Sequence, residues 1–202
     1  MSTKVLVPSG VLGLGFSEKA LEKGLKRNPD IICIDGGSTD SGPFYLGTGT
    51  TKYSEEVCKK EWRILMQARE RLKIPLMIGS CGTCGTNSMV DWMFQITSQI
   101  AKDLGQNLKI IRVYCERKKD DLFNAFESNT IKPLNPVLSV SDEEIETFSN
   151  IVALAGAEVF QKAISQKGDI ILVGRATDTA IISALPLLNK ESHAASWHGA
   201  KI

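Results

Sequence analysis

Residues 31–49 read IICIDGGSTDSGPFYLGTG. Ile31 to Ile34 is a short apolar run, bounded by Pro29 on one side and by Asp35 and two glycines on the other. Such a run reads as a buried strand. A strand that ends in carboxylates, hydroxyls and flexible backbone is how α/β proteins build ligand sites, because the crevice lies beyond the carboxyl ends of the strands. The loop that follows, through Gly42-Pro43, Tyr45 and Gly49, is long for a compact domain, and loops of that length tend to be functional or disordered. Phe44, Tyr45 and Leu46 argue for order.

Four further strand–loop units flank this one. Lys4 to Val7 is a strand followed by the glycine turn Gly10 to Gly15; Ser17 then caps a helix to about Arg27, stopped by Asn28-Pro29. Ser54 opens a helix to about Lys73 with an apolar stripe of Cys58, Trp62, Leu65, Ala68 or Arg69, and Leu72; its alternating glutamates, lysines and arginines read as a solvated, salt-bridged face. Pro75 to Ile78 is a third strand, Gly79 to Thr86 a second glycine loop, and Asn87 caps a helix carrying Val90, Met93, Phe94, Thr97, Ile100, Ala101 and Leu104 at helical spacing. Leu108 to Cys115 is a fourth strand ending at Glu116, with a short helix over Lys118 to Glu127. Ser141 and Glu144 form a capping box that opens a helix to about Ala155, with a break at Gly156 before it continues to Gln166 and ends at Gly168. Asp169 to Gly174 is the fifth strand, and after Arg175 to Thr179 a helix runs to about Leu188. Alternating strands and helices predict a mostly parallel, doubly wound (Rossmann-like) α/β sheet with helices on both faces, in one domain over residues 1–202.

With 43% hydrophobic and 23% charged residues and a net charge of +1, the chain has the composition of an ordinary soluble protein and no electrostatic reason to bind nucleic acid or an anionic membrane. Five cysteines, two of them in strand-like runs, fit reduced buried thiols and a cytoplasmic location better than a disulfide framework.

The chemistry-bearing loops all follow strands, so the reading places Asp35, Asp40, Glu116 and Asp178 with Arg175 at one end of the sheet. Crowded carboxylates perturb each other's proton affinity and suit acid–base work, or a hard divalent cation; capping helices and bracing loops is the plainer alternative. The amides of the Gly79-Ser80-Cys81-Gly82-Thr83-Cys84-Gly85 loop, ahead of a helix, suit an anion. The Cys81-x-x-Cys84 pair has the spacing of a redox or zinc motif, but no second pair or histidine cluster completes a metal set. Neither glycine loop has P-loop or dinucleotide spacing.

The segments PSGVLGLGF, IICIDGGSTDSGPFYLGTG, IPLMIGSCGTCG, VDW, GRATDTAIISALPLL and WHGAKI, taken in order from Val7 to Ile202, resemble the acyclic terpene utilisation protein A (AtuA) family. The resemblance implies catabolism of branched acids handled as coenzyme A thioesters, with no firmly assigned reaction. Family members are longer, so it also implies that the chain is similar to an N-terminal portion, with a companion subunit or further sequence supplying the rest. Alanine or glycine stands in the family where this chain has Cys81 and Cys84, which weakens the redox reading.

The expected function is an enzyme or enzyme subunit acting on a carboxylic acid or its acyl-CoA ester by lyase- or hydratase-type chemistry. The catalytic candidates are Asp35, Asp40, Tyr45, Asp178 and His198. The substrate-binding candidates are Gly36, Gly37, Ser38, Thr39, Gly79, Ser80, Gly82, Arg175 and Thr177. No cofactor is named by the sequence, and no metal ligands are assigned. Two alternatives stand beside this reading. One is a non-catalytic subunit that binds acyl-CoA or organises a partner, and a homo-oligomer is the default assembly. The other is a phosphate- or nucleotide-binding protein, on the likeness of IDGGSTD to the phosphate loop of actin-like kinases.

Overall fold

A computed structural model describes residues 2–37, 41–132, 134 and 140–202. Five parallel strands form one sheet: β1 (Val5–Leu6), β2 (Ile31–Asp35), β3 (Leu76–Gly79), β4 (Ile110–Val113) and β5 (Ile170–Val173), in the order β1-β2-β3-β5-β4. Every residue of β2, β3 and β5 is buried. That is why these strands read as unbroken apolar runs rather than alternating ones: helices cover both faces of a parallel sheet.

The two sides of β2 separate the core into two halves. Ile32 and Ile34 pack with α1 (Glu18–Leu25), α3 (Glu55–Leu72) and α4 (Asn87–Leu104). Ile31 and Cys33 pack on the other face with α7 (Ala157–Ser165) and α8 (Asp178–Leu188). The alternation is the two-residue period of a strand. Trp62 of α3 is fully buried in the first half, its indole N–H donating to Thr97 Oγ1 at 2.9 Å; Phe160 of α7 anchors the second. A last helix, α9 (His193–Lys201), follows α8 and packs against it.

The expected doubly wound sheet is therefore present, and two local expectations are revised. The loop after β2 contains a five-residue helix, α2 (Phe44–Thr48), ended by Gly49 in the left-handed region at φ 68°. The helix expected from Ser141 to about Ala155 stops early, as α6 (Asp142–Glu146), although its Ser141/Glu144 capping box forms as read. Residues 151–155 are instead extended and continue the sheet hydrogen bonding beyond the ends of β4 and β5: Ala153 N–H donates to Cys115 O at 2.7 Å and Ala155 N–H to Arg175 O at 2.9 Å. The β-branched pair Ile151-Val152 favours that conformation, and open carbonyls at two strand ends reward it. Helix α5 (Lys119–Glu127) matches its expected position closely.

Two buried charges in α3 also depart from the expected solvated face. Arg69 is 3% exposed and donates to Asp169, Glu70 and the carbonyl of Ile74. Glu61, at 6% exposed, accepts the amides of Gly13 at 2.7 Å and Gly15 at 2.8 Å. The first glycine turn is thus held by a carboxylate of the protein itself. Glu61→Gln keeps one acceptor and loses the second charge-assisted bond, so it should cost about 1–3 kcal/mol, read from the denaturant midpoint at unchanged slope.

Candidate functional site

Adjacent strands β3 and β5 send the chain to opposite faces, into α4 and α8 respectively, and a doubly wound sheet opens its ligand crevice at such a switch point. Here the loops themselves close it. Ser80 N–H donates to Gly174 O at 2.8 Å, Cys81 N–H to Val173 O at 3.2 Å and Arg175 N–H to Gly85 O at 3.1 Å. The Ser80 hydroxyl sits between the amide and carbonyl of Ala176. Residues 80–86 are all buried. At Gly85, with φ 68°, a Cβ would lie 2.3 Å from the Arg175 amide nitrogen, so only glycine permits this closure.

The open space lies one strand pair away. A cavity of about 720 Å³ runs between β1 and the end of β2 on one side and α8 and α9 on the other. Its walls are largely aliphatic, with Val5, Val7, Ile34, Ile181 and Pro186 among them, and three carboxylates line it, Asp35, Asp178 and Glu191, together with Lys201. A volume of this size and an apolar wall with a few polar groups are typical of small-molecule sites.

Asp35 is the last residue of β2 and is 6% exposed. Its Oδ2 accepts the Gly37 amide at 3.0 Å, whereas Oδ1 is buried without a hydrogen-bond partner. Burial is the main cause that pushes its pKa up to about 7, and the Asp178 charge adds to it; the Gly37 amide, the Ser80 hydroxyl and the Arg175 guanidinium pull the other way. Ser80 has one proton to donate and gives it to the Ala176 carbonyl at 3.2 Å, in keeping with the orphaned Oδ1. Asp178 is exposed in the first turn of α8, which Thr177 caps by accepting the Ala180 amide at 3.3 Å.

The other sequence candidates fall in different places. Arg175 is buried and its Nη1 donates to the carbonyls of Gly37 at 3.1 Å and Thr83 at 3.0 Å, so it ties two loops together beside Asp35. Gly36, Gly37, Gly79 and Gly82 serve close packing: a Cβ at Gly36 would meet the Ser80 carbonyl at 2.3 Å, and one at Gly79 would meet Ile181 at 2.5 Å. The amides of Ser80, Cys81, Thr83, Cys84 and Gly85 donate to carbonyls of the protein, which leaves the glycine loop little capacity as an anion cradle. Glu116 does not join the cavity; it accepts the Asn87 amide at 2.9 Å at the start of α4. Tyr45 is half-buried on α2, edge-on to Phe44 at 5.3 Å, and does not line the cavity. His198 is exposed on α9, away from the helix face that Ser196 and Ala200 bury. Ser38, Thr39 and Asp40 lie outside the described residues.

All five cysteines are buried and unbridged, and burial pushes the thiols of Cys33 and Cys81 far up and that of Cys58 up to about 11. Thiols so protonated make poor nucleophiles and metal ligands, and no cluster of three or more His, Cys, Asp or Glu suited to a metal occurs among the described residues. None of the described helices is long and apolar enough to cross a membrane.

Sequence reasoning missed Tyr53, which packs on Gly13 and whose phenol is pushed up by burial and then by the Asp35 charge. It also missed the whole α9 wall of the cavity. Its low hydrophobicity hid it: Ala195, Ser196, Gly199 and Ala200 line the cavity without forming an apolar stripe. No family model, curated protein or solved structure matches this chain.

Proposed function

We propose that the cavity is an acid–base active site in which Asp35 transfers the proton, and that the chain is an enzyme or enzyme subunit acting on an acyl compound by lyase- or hydratase-type chemistry. One observation carries the reading. A buried carboxyl with one oxygen unpartnered and a pKa pushed up to about 7 lines a ligand-sized, mostly aliphatic cavity. A group that titrates near working pH is populated in both forms and suits general acid–base catalysis.

In this scheme ionised Asp35 removes a proton beside a carbonyl and returns it to the neighbouring carbon or to a leaving oxygen. The N-terminal end of α8, where Asp178 lines the cavity, offers the positive end of a helix dipole to the charge that develops. Arg175 holds the Gly37 and Thr83 loops and tempers the Asp35 pKa. Two carboxylates at the reacting end favour an uncharged thioester over a free carboxylate. This agrees with the acyl-CoA substrate that the AtuA resemblance implies, and the buried reduced thiols suit a cytoplasmic enzyme. The actin-like nucleotide reading rests on the IDGGSTD likeness alone, since β2 pairs in parallel with β1 and β3 and the described residues contain no returning strand.

Incubating the protein with a panel of acyl-CoA thioesters in D2O and following α-proton exchange by NMR tests the proposal. Exchange should be catalysed, with a rate that rises through an inflection near pH 7. Tight thioester binding without any exchange would favour the non-catalytic binding subunit instead.

A further inference from the structure

The Gly37 amide that Asp35 Oδ2 accepts belongs to a two-glycine turn with no side chains of its own to fix it. Thr83, in the loop after β3, supplies the hold. Its amide donates to Gly36 O and Ser80 O, both at 3.0 Å, and its hydroxyl donates to Gly36 O at 3.3 Å. It presses on Gly37 so closely that a Cβ there would lie 2.8 Å from the Thr83 γ-methyl. Arg175 Nη1 bridges the carbonyls of Thr83 and Gly37, and the Thr83 hydroxyl also accepts the Lys52 amide at 3.1 Å. Thr83 is buried and adopts φ 68°, a conformation that a β-branched residue rarely takes. Apart from Ser80 in the same loop, the other described non-glycine residues in that region follow the ends of helices. Strain of this kind persists only where the surroundings over-determine it, and it gathers at functional sites.

We propose that Thr83 is a positioning residue for the proton-transfer step: it clamps the Gly36–Gly37 turn and so keeps the Gly37 amide on the Asp35 carboxylate. The proposal rests on the reading of Asp35 as the group that moves the proton. A backbone donor favours the ionised form of the carboxyl it meets, so loosening the clamp should raise the pH at which Asp35 ionises. The other charged or titratable groups around Asp35 are Asp178 at the start of α8, Arg175 after β5, Tyr53 ahead of α3 and Cys81 after β3. Among the described residues none of these bonds to the Thr83 side chain, so changing that side chain removes no bond that any of them makes.

The test compares Thr83→Val, which keeps the branched shape and deletes the hydroxyl, with Thr83→Ser, which keeps the hydroxyl. Two quantities are read in the full chain: the titration of the Asp35 carboxyl by NMR, and exchange of the thioester α-proton in D2O at saturating thioester. In Thr83→Val the titration midpoint should move up by about half a pH unit and exchange should slow about tenfold. Thr83→Ser should titrate and exchange as the wild type does. Should Thr83→Val fail to fold, Thr83→Gly deletes the hydroxyl from a backbone that is at ease at φ 68°, and the same upward move is expected. A wild-type midpoint in a folded Val or Gly variant would overturn the proposal, because a threonine with a purely structural role would change stability alone. The titration needs no turnover, so the two failures are distinct: absence of exchange in the wild type refutes the acid–base reading, and an unmoved midpoint refutes the clamp.

Discussion

Asp35→Asn should abolish turnover and, above pH 7, make the protein more stable. As the proton-transfer group, Asp35 contributes about 10²–10⁴-fold to rate, so exchange of the substrate α-proton should fall by that factor. The stability gain follows from linkage. The carboxyl ionises near its ordinary value of 3.8 in the unfolded chain and is pushed up to about 7 in the fold. Between those values the folded state binds more protons, so stability falls as pH rises through this window and the full penalty is present above pH 7. A shift of this size corresponds to at most roughly 4 kcal/mol, and the neutral amide removes it. Urea melts of wild type and variant should therefore diverge from about pH 4 to 7 and run parallel above. Equal stability at every pH, together with unchanged exchange, would remove Asp35 from the centre of the site. The combination of lost activity and gained stability marks a group kept in an unfavourable place for its chemistry.

Arg175→Met should have the opposite effect on stability. It deletes two charge-assisted hydrogen bonds, to Gly37 O and Thr83 O, and leaves both carbonyls in a buried setting. At about 1.5–3 kcal/mol per such bond the cost should be roughly 3–6 kcal/mol. It also removes a positive charge that lowers the Asp35 pKa, so the pH–rate inflection should move above that of wild type. Arg175→Lys keeps the charge but not the planar fork, and should restore the inflection more fully than the stability. An unshifted inflection in a folded Met variant would show that the guanidinium does not act on Asp35.

Much of the fold could be read from pattern. The apolar runs at Ile31, Leu76 and Ile170 announced strands buried on both faces, and the regular alternation with capped helices announced a parallel sheet. Asp35 stood out because it ends such a run. The segment after Glu146 was misread because helical spacing of apolar residues competes with strand pairing that only neighbours in space can supply. Glu61 and Arg69 looked like members of a solvated charge pattern, since nothing local shows that Gly13, Gly15 and Asp169 will present partners to them.

The site was legible only in part for the same reason. Loops that follow strands in sequence end at one edge of the sheet, but which of them face a cavity depends on strand order and on what fills the gaps. The order β1-β2-β3-β5-β4 put the switch point between the loops after β3 and β5, which then closed on each other, and displaced the open space beneath α8 and α9. Helical phase put Gly199 on the cavity-lining side of α9 and His198 off it, one residue apart, with both exposed. By itself, then, the chain's order of residues determined the secondary elements, the parallel sheet and the presence of Asp35 at a strand end, because these follow from local periodicity and capping. Tertiary structure alone decided that Asp35 would be buried with one oxygen unpartnered and Asp178 nearby, because desolvation and charge proximity arise only when distant segments pack.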